Sequence, residues 1–494
     1  MHRANVRGLS GWPWIPALVL VLAVSPASAR VPACARGGGA SSIGTLAYVV
    51  TECRFDTQGL YSGRQRLVVR RGECPPITVI EIASGPPVAD ENALCLRYGE
   101  SRFGSTSIVV GAIHRLAVSP RGDAVVFEMT RRTAVPLLPP VSLPLPEGLY
   151  YVRADGTGLR RLGDASRVAD YAIVEVDTSF RVFTDVLVDL YFSPDGRRIA
   201  YTDLGPGADG VDAPQVFVMH LARTPQVTQV TQVTQRTARG VTPLSRLETR
   251  AGAFLDHRTL AYSTFDPASG ESVSTTHVDG SGTRRLPDPV VQEGARVVSR
   301  FAVTGQRTRL LTFELLDPPP INPFGPFART REAFAFDGKK LLQLTAFHRA
   351  DTEDRVRIGQ RAFFTASADP LGTNPDNTCQ LFSIDLLAGG LRQLTGFRGS
   401  LAGHEFGAAR EACRFGAPEC YVNPVFADPR RRTLVFMSSC SSGTARPYGA
   451  QIYAMRDDGS AMRQLTDVEG AVVESDGTLR VELPGPVAYA GGAE

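Results

Sequence analysis

Hydrophobic positions along this chain fall in short runs broken by tight polar corners. The clearest stretch, residues 421–467, opens with "NPVFADPRRRTLVFMSS" and closes with "QIYAMRDDGSAMRQLTD". Two apolar runs (425–428 and 433–437) flank a Pro-Arg corner, and two more (451–456 and 461–466) flank an Asp-Asp-Gly-Ser corner. A tight corner, a long loop and another tight corner predict a four-stranded antiparallel meander. One such sheet leaves apolar surface bare, so it needs copies of itself to pack against.

The copies are present. The first strand pair recurs as "LAVSPRGDAVVFEM" (116–129), "LYFSPDGRRIAYTD" (190–203), "AFLDHRTLAYST" (253–264), "FAVTGQRTRLLTFE" (301–314) and "VRIGQRAFFTAS" (356–367). Pro presets φ and Gly tolerates positive φ, so such a corner reverses the chain in few residues. The second pair recurs as "GLYYVRADGTGLRRLG" (148–163), "VSTTHVDGSGTRRLP" (273–287), "EAFAFDGKKLLQLT" (332–345) and "QLFSIDLLAGGLRQLT" (380–395). In the second unit, "QVFVMHLARTPQVTQVT" (215–231) loses the Asp-Gly corner and runs into a triple "VTQ", read as an extended surface strand. Leu162, Leu286, Leu344, Leu394 and Leu465 share one register position.

The "SPDGRRIAYT" pair followed by an "IYAMRDDGSAMRQLT" pair resembles the WD-like repeat of TolB-family propellers, over about residues 112–467 in six copies. The resemblance implies an all-β fold, a β-propeller of four-stranded antiparallel blades. TolB proteins carry an α/β domain before the propeller. Here residues 30–110 hold strand-like runs instead, "TLAYVV" (45–50), "RLVVRR" (66–71), "ITVIEI" (77–82) and "SIVVG" (107–111). The tail "AVVESDGTLRVELPGPVAYA" (471–490) has another Ser-Asp-Gly corner with strands on both sides. Pairing it with strands from 43–110 makes a closing blade from both ends, which would protect the outer sheet edges. Seven blades are expected on that basis, with six as the alternative.

Composition adds location. His2, Arg3 and Arg7 precede an apolar run (15–24) and a small-residue Ala27-x-Ala29 site, so residues 1–29 read as a cleaved signal peptide. Residues 30–110 then form a disulfide-stapled β-rich segment and 111–494 the propeller. Net charge is +3, and loss of Arg3 and Arg7 leaves +1, which gives no electrostatic reason to expect nucleic acid. No stretch reaches the roughly 20 apolar residues of a membrane helix. Eight cysteines agree with an oxidising compartment, hence a periplasmic or secreted protein. They form two sets, Cys34, Cys53, Cys74, Cys95 and Cys379, Cys413, Cys420, Cys440, each allowing three pairings. Cys413 and Cys420 enclose a turn-rich "RFGAPE" and are the pair expected to bond. No C-x-x-C supports zinc instead.

Catalytic signals are thin. There is no G-x-S-x-G, and "HEFGA" (404–408) has Ala408 where a zincin needs its second His. His220 and His277 occupy the position of Arg153 and Arg456 at the end of the third strand, a register pattern and not a ligand set. Asp203, Asp209 and Asp212 in one loop, and Asp369, Asn374, Asp376 and Asn377 in another, offer oxygen ligands for calcium, but Asx residues are also common in turns. No cofactor is expected. Both tryptophans, Trp12 and Trp14, lie in the leader, which removes a stacking platform for sugars. The long connections (131–147, 204–214, 315–331, 368–378, 398–420) share one face of the propeller, where binding residues tend to be placed. The sequence therefore points to a monomeric, non-catalytic propeller that binds another envelope or extracellular protein through that face. The alternative is a propeller hydrolase or lyase with its site at the central channel mouth.

Overall fold

The computed structural model describes residues 43–55, 61–83, 95–97, 107–109, 113–130, 145–166, 174–176, 182–184, 190–222, 226–236, 249–266, 270–285, 309–315, 330–336, 341–347, 352–375, 378–397, 422–438, 440 and 450–491. Every element among them is a β-strand. The signal peptide, Cys413 and Cys420, and much of the long connections lie outside the described residues.

The repeat forms six antiparallel sheets arranged as a ring of blades, the lower of the two counts expected. Blade one comprises Ile113–Val118, Ala124–Met129, Gly148–Arg153 and Arg160–Gly163. Blade two comprises Leu190–Phe192, Arg198–Pro206, Asp212–Leu221 and Val227–Gln232. Blade three holds Thr249–Phe254, Thr259–Asp266, Gly270–His277 and Arg284–Arg285. Blade four shows three strands among the described residues, Arg309–Leu315, Thr330–Phe336 and Leu341–Gln343. Blade five is Thr352–Ile358, Arg361–Ala366, Gln380–Asp385 and Gly389–Gln393. Blade six is Val422–Asp428, Thr433–Ser438, Gln451–Arg456 and Arg463–Gln464. Both chain ends share a further sheet in the order Ile77–Ala83, Tyr61–Arg71, Thr45–Phe55, Leu479–Ala490, Gly470–Val473.

The apolar core is a series of layers between neighbouring sheets. Phe127 and Val125 of blade one pack with Val49, Leu67 and Ile82 of the terminal sheet. On that sheet's other face, Leu46 and Tyr48 meet Val435, Ile452 and Leu465 of blade six. Further layers join blades one and two, two and three, four and five, and five and six. A middle strand covered on both faces needs unbroken apolar sequence rather than alternation. That is why "AVVFEM" and "TLVFMS" are buried at every position.

The outermost strands are short, two to six residues among the described ones. A repeated side-chain clamp supplements them. In blade five, Thr395 Oγ1 donates to Gln380 Oε1 (2.8 Å) and accepts from Leu381 N (2.9 Å). The same Gln380 oxygen accepts from Phe397 N (3.0 Å), and its Nε2 donates to Phe397 O (2.7 Å). Gln215–Thr234 and Gln451–Thr466 repeat these bonds in blades two and six. Glu332–Thr345 is the blade-four counterpart, with Thr345 Oγ1 donating to Glu332 Oε2 and accepting from Ala333 N (2.8 Å). A second glutamine grips the same turn, Gln232, Gln343, Gln393 and Gln464 each donating to the carbonyl of the following threonine. The "QLT" of the repeat is thus half of a clamp, with its partner at the start of the third strand.

The tight corners carry their own acceptors. Asp155, Asp279, Asp458 and Asp476 each accept the N–H two residues on, all at 2.9 Å. Gly156, Gly280 and Gly459 follow the first three at φ of 81°, 82° and 84°, where an L side chain is strained. Blade six was expected to have its fourth strand over 461–466, and the observed strand is Arg463–Gln464. Ala461 turns into the left-handed region (φ 54°) and Thr466 is drawn into the clamp, so pairing is trimmed at both ends. The glycine-free corner "DPRR" reverses differently from "SPRG". Its positive φ falls on Arg432 (51°), and Asp428 Oδ1 accepts from Arg430 N (3.2 Å) and Arg431 N (3.1 Å).

Two predictions follow from this chemistry. Replacing Gln380, 1% exposed, by Ala strips the clamp of its acceptor and of the donor to Phe397. It should cost about 3 kcal/mol, as expected for unpaired buried polar groups, and urea titration reads it. A loss under half a kcal/mol would mean that the clamp is decorative. The second concerns pH. Around Asp155 and Asp195, burial pushes the carboxyl pKa up, but hydrogen bonds from Thr157 and Ser193 and nearby arginines more than offset it, so both lie below the ordinary value. Asp279, Asp385, Asp458 and Asp476 are held low chiefly by hydrogen bonds within their corners. A folded pKa below the unfolded one means that the unfolded chain binds more protons. The stability from these corners is therefore complete above about pH 4, the unfolded value, and is lost as pH falls through the lower folded values. Urea midpoints measured from pH 6 to pH 2 should fall only in the acid half, and a flat series would contradict the assignment.

Candidate functional site

The first strands of blades one and two, two and three, four and five, and five and six approach one another, and Leu479–Ala490 contacts the first strands of both blade one and blade six. At the tight-corner end of these strands lies a cavity of about 1030 Å³. Its wall is drawn from blades two (Pro194, Asp195), three (Phe254, Asp256, His257), five (Val356, Arg357) and six (Val425, Phe426, Arg430), with Tyr489 from the terminal sheet. That volume sits at the upper end of small-molecule sites, roughly 300–1000 Å³.

The cavity lies on the face opposite the long connections. First strands run from a long connection into a tight corner, so their corner ends are where rigid backbone converges. Among the described residues, the long-connection face instead shows two ordered loops. In one, Gly207 N donates to Val211 O (2.8 Å) and Asp209 Oδ1 accepts from Val211 N (3.2 Å). In the other, buried Asn374 donates to Ala368 O (2.9 Å) and Thr378 O (2.8 Å) and accepts from Thr378 Oγ1 (3.0 Å). Asp369 Oδ1 accepts from Asn374 N (2.7 Å), and Asp203 Oδ1 from Leu204 N (2.7 Å). Asp203, Asp209, Asp369 and Asn374 thus act as acceptors within their own loops, and Asp376 and Asn377 lie outside the described residues. Among the described residues no three His, Cys, Asp or Glu side chains converge as metal ligands.

The acidic groups of the cavity are held as structural ions. Asp195 accepts from Ser193 Oγ (2.6 Å), Arg197 N (3.1 Å) and Arg198 Nη1 (3.3 Å). Arg198 also donates to His257 O (2.8 Å), which ties the corners of blades two and three. Asp256 Oδ1 accepts from Arg258 N (2.6 Å) and Thr259 N (2.8 Å), and although burial pushes its pKa up, these bonds set it below the usual range. His220 and His277 do end third strands, opposite Arg198 and Thr259, in the register of Arg153 and Arg456. Burial, then the Arg198 charge, pushes the His220 pKa down.

Tyr489 joins the cavity to a hub at the blade-six corner. Asp428 is fully buried (0%), and its Oδ2 accepts from Arg431 Nη1 (3.0 Å) and from Tyr489 Oη (2.8 Å). The phenol oxygen accepts in turn from Gly44 N (2.7 Å), and Arg431 also donates to Gly491 O. Burial, then the Asp428 charge, pushes the Tyr489 pKa well above that of a free phenol. A methyl group on Gly491 would stand 2.7 Å from the Asp428 carboxyl, so no side chain fits there. A different anchor holds the first blade, where Thr45 Oγ1 donates to Gly122 O (2.7 Å) and Ile113 N donates to Gln65 Oε1 (2.9 Å).

Two further buried clusters have structural partners. Arg115 pairs with Glu128 at 3.1 Å, both at most 4% exposed, and Ser166 N donates to the same carboxylate. Cys379 and Cys440, 0% and 3% exposed in the layer between blades five and six, are not free thiols. None of the cavity residues was named from the sequence. The lining draws on the unaltered "SPDG" corner of blade two as well as on "LDHR", "IGQR" and "DPRR" of blades three, five and six, so corner sequence does not single out the cavity.

Asp428→Ala should destabilise the protein by about 3 kcal/mol, the range for breaking a buried charged hydrogen-bond network. Amide exchange should rise first in Leu479–Ala490 and Thr45–Phe55. Unchanged protection of these two strands would refute the hub.

No protein-family model matches the sequence, and no curated protein matches it. Among solved structures, TolB from Acinetobacter baumannii is 13% identical, over 91% of this chain and 67% of its own, with a TM-score of 0.35. The β-propeller domain of the Trilobed protease from Pyrococcus furiosus is 8% identical, over 85% of this chain and 96% of its own, with a TM-score of 0.43. The acylaminoacyl peptidase of Pyrococcus horikoshii is 9% identical, over 85% of this chain and 52% of its own, so this chain spans about half its length (TM-score 0.42). Scores this low say nothing of activity, and the fold rests on the strand registers described above.

Proposed function

We propose that this chain is an exported, monomeric, non-catalytic propeller that binds another envelope or extracellular protein through its long-connection face. The observation that carries this reading is the pair of ordered loops on that face. Each is fixed by its own hydrogen bonds, and each holds a large apolar side chain in water, Val211 (56% exposed) and Leu371 (45%). A loop already ordered pays little further entropy on binding, and covering an aliphatic side chain returns about 1–2 kcal/mol. The carboxylates of the cavity support the non-catalytic half of the reading. Asp195 and Asp256 are committed to corner N–H groups and held below the ordinary carboxyl range, the opposite of a tuned general acid. An oxidising compartment fits the absence of free thiols among the described cysteines. The leader at residues 1–29 belongs to the same reading.

Photo-crosslinking amino acids placed in living cells test it. Benzoylphenylalanine at position 211 or 371 should give one discrete adduct with a second protein. The same group at Leu387, 81% exposed in a tight corner of blade five, should give none. Adducts from 387 alone, or from none of the three, would refute the loop-face reading.

A further inference from the structure

The cavity contains a cation that the fold leaves incompletely bonded. Arg357 ends the first strand of blade five, and its Nε donates to Gly359 O (2.5 Å) in the corner it precedes. Nη2 reaches Gln360 Oε1 at 3.3 Å, a weak bond. Nη1 is shielded from water and has no hydrogen-bond partner among the described residues. Burial pushes the Arg357 pKa down. A guanidinium so placed is short of acceptors, and a group that supplied them would be held by a charge-assisted, planar pair of N–H bonds.

The rest of the wall narrows what that group is. Apolar surface surrounds it: Val356 from its own strand, Val425 and Phe426 from blade six, Phe254 from blade three and the ring of Tyr489. Arg430 adds a second positive charge on the blade-six side. On the side of blades two and three stand two carboxylates, Asp256 and Asp195, the latter paired with Arg198. A dianion such as phosphate would be repelled by those carboxylates, and a cation by the arginines. A single carboxylate on an apolar body satisfies both sides: the anion meets Arg357 and the body covers the aromatic and aliphatic wall.

We propose that the tight-corner cavity is a binding site for a small monocarboxylate with an apolar or aromatic body, its carboxylate seated on Arg357. This site is on the opposite face from the protein-binding loops and stands or falls independently of them. A small swing of the arginine side chain presents its unpaired edge to the ligand, and the ligand in turn supplies the missing acceptors.

Calorimetry on the mature protein tests the proposal with 3-phenylpropanoate, its uncharged amide and inorganic phosphate as probes. The carboxylate should bind saturably at one site per chain, and the amide and phosphate at least tenfold more weakly. Arg357→Gln should weaken the carboxylate at least tenfold, with Arg357→Lys intermediate because it keeps the charge and loses the fork. Both variants lose the Nε bond to Gly359 O, so circular dichroism and the thermal midpoint of the free protein are measured alongside to show that each variant is folded. Ligand-induced thermal stabilisation should appear in the native protein and vanish in Arg357→Gln. No saturable binding of the carboxylate, equal binding of the amide, tighter binding of phosphate, or undiminished binding by a folded Arg357→Gln would each overturn the proposal.

Discussion

Blades two, four, five and six depend on a hydrogen-bond clamp that fastens the outermost strand to the third. A strand of two residues, such as Arg463–Gln464, has too few ladder bonds to resist fraying. The Gln451–Thr466 clamp answers this with side chains, satisfying backbone groups just where the strand leaves the sheet. The amide suits the task because it carries an acceptor and a donor on one planar group, so one residue can bind both the N–H and the C=O of a passing segment. Gln215 and Gln380 do so with Arg236 and Phe397. Blade one lacks the clamp, with Gly148 and Gly163 at the corresponding places, and Arg161 holds Glu147 O there instead (2.8 Å). A methyl on Gly148 would lie 2.5 Å from Gly163 O, so the two strands meet too closely for any side chain.

Local chemistry made most of the architecture legible. Corners announce themselves through Pro, Asp and Gly, because each acts within a few residues of itself. Third-strand ends such as Arg153, His220, His277 and Arg456 fell into register for the same reason. Sequence reasoning overextended strands where a polar partner sits farther away. Thr466 reads as a continuing strand residue until its partner, fifteen positions back at Gln451, is known. The absent glycine in "DPRR" was visible, but its consequence was not. Asp428 is the acceptor that reshapes the corner and holds Tyr489, whose phenol oxygen in turn accepts from Gly44 N.

The cavity was illegible for a related reason. Its wall collects residues from position 194 to position 489, a few from the corner end of each of several blades, with no spacing rule to connect one group to the next. Attention to loop length favoured the opposite face, because length marks where a sequence tolerates change. Rigid concavity follows another rule: it forms where short corners hold strand ends at fixed separations. In a propeller these two properties are assigned to opposite faces by the alternation of tight and long connections. A flexible or extended partner suits the long-connection face, where Val211 and Leu371 stand in water on braced loops. A small ligand suits the corner face, where the groups that would meet it, Arg357 above all, are set by a corner only a few residues long. The same alternation that builds each blade therefore separates two kinds of recognition on one scaffold, and a substitution at either face should leave the other intact.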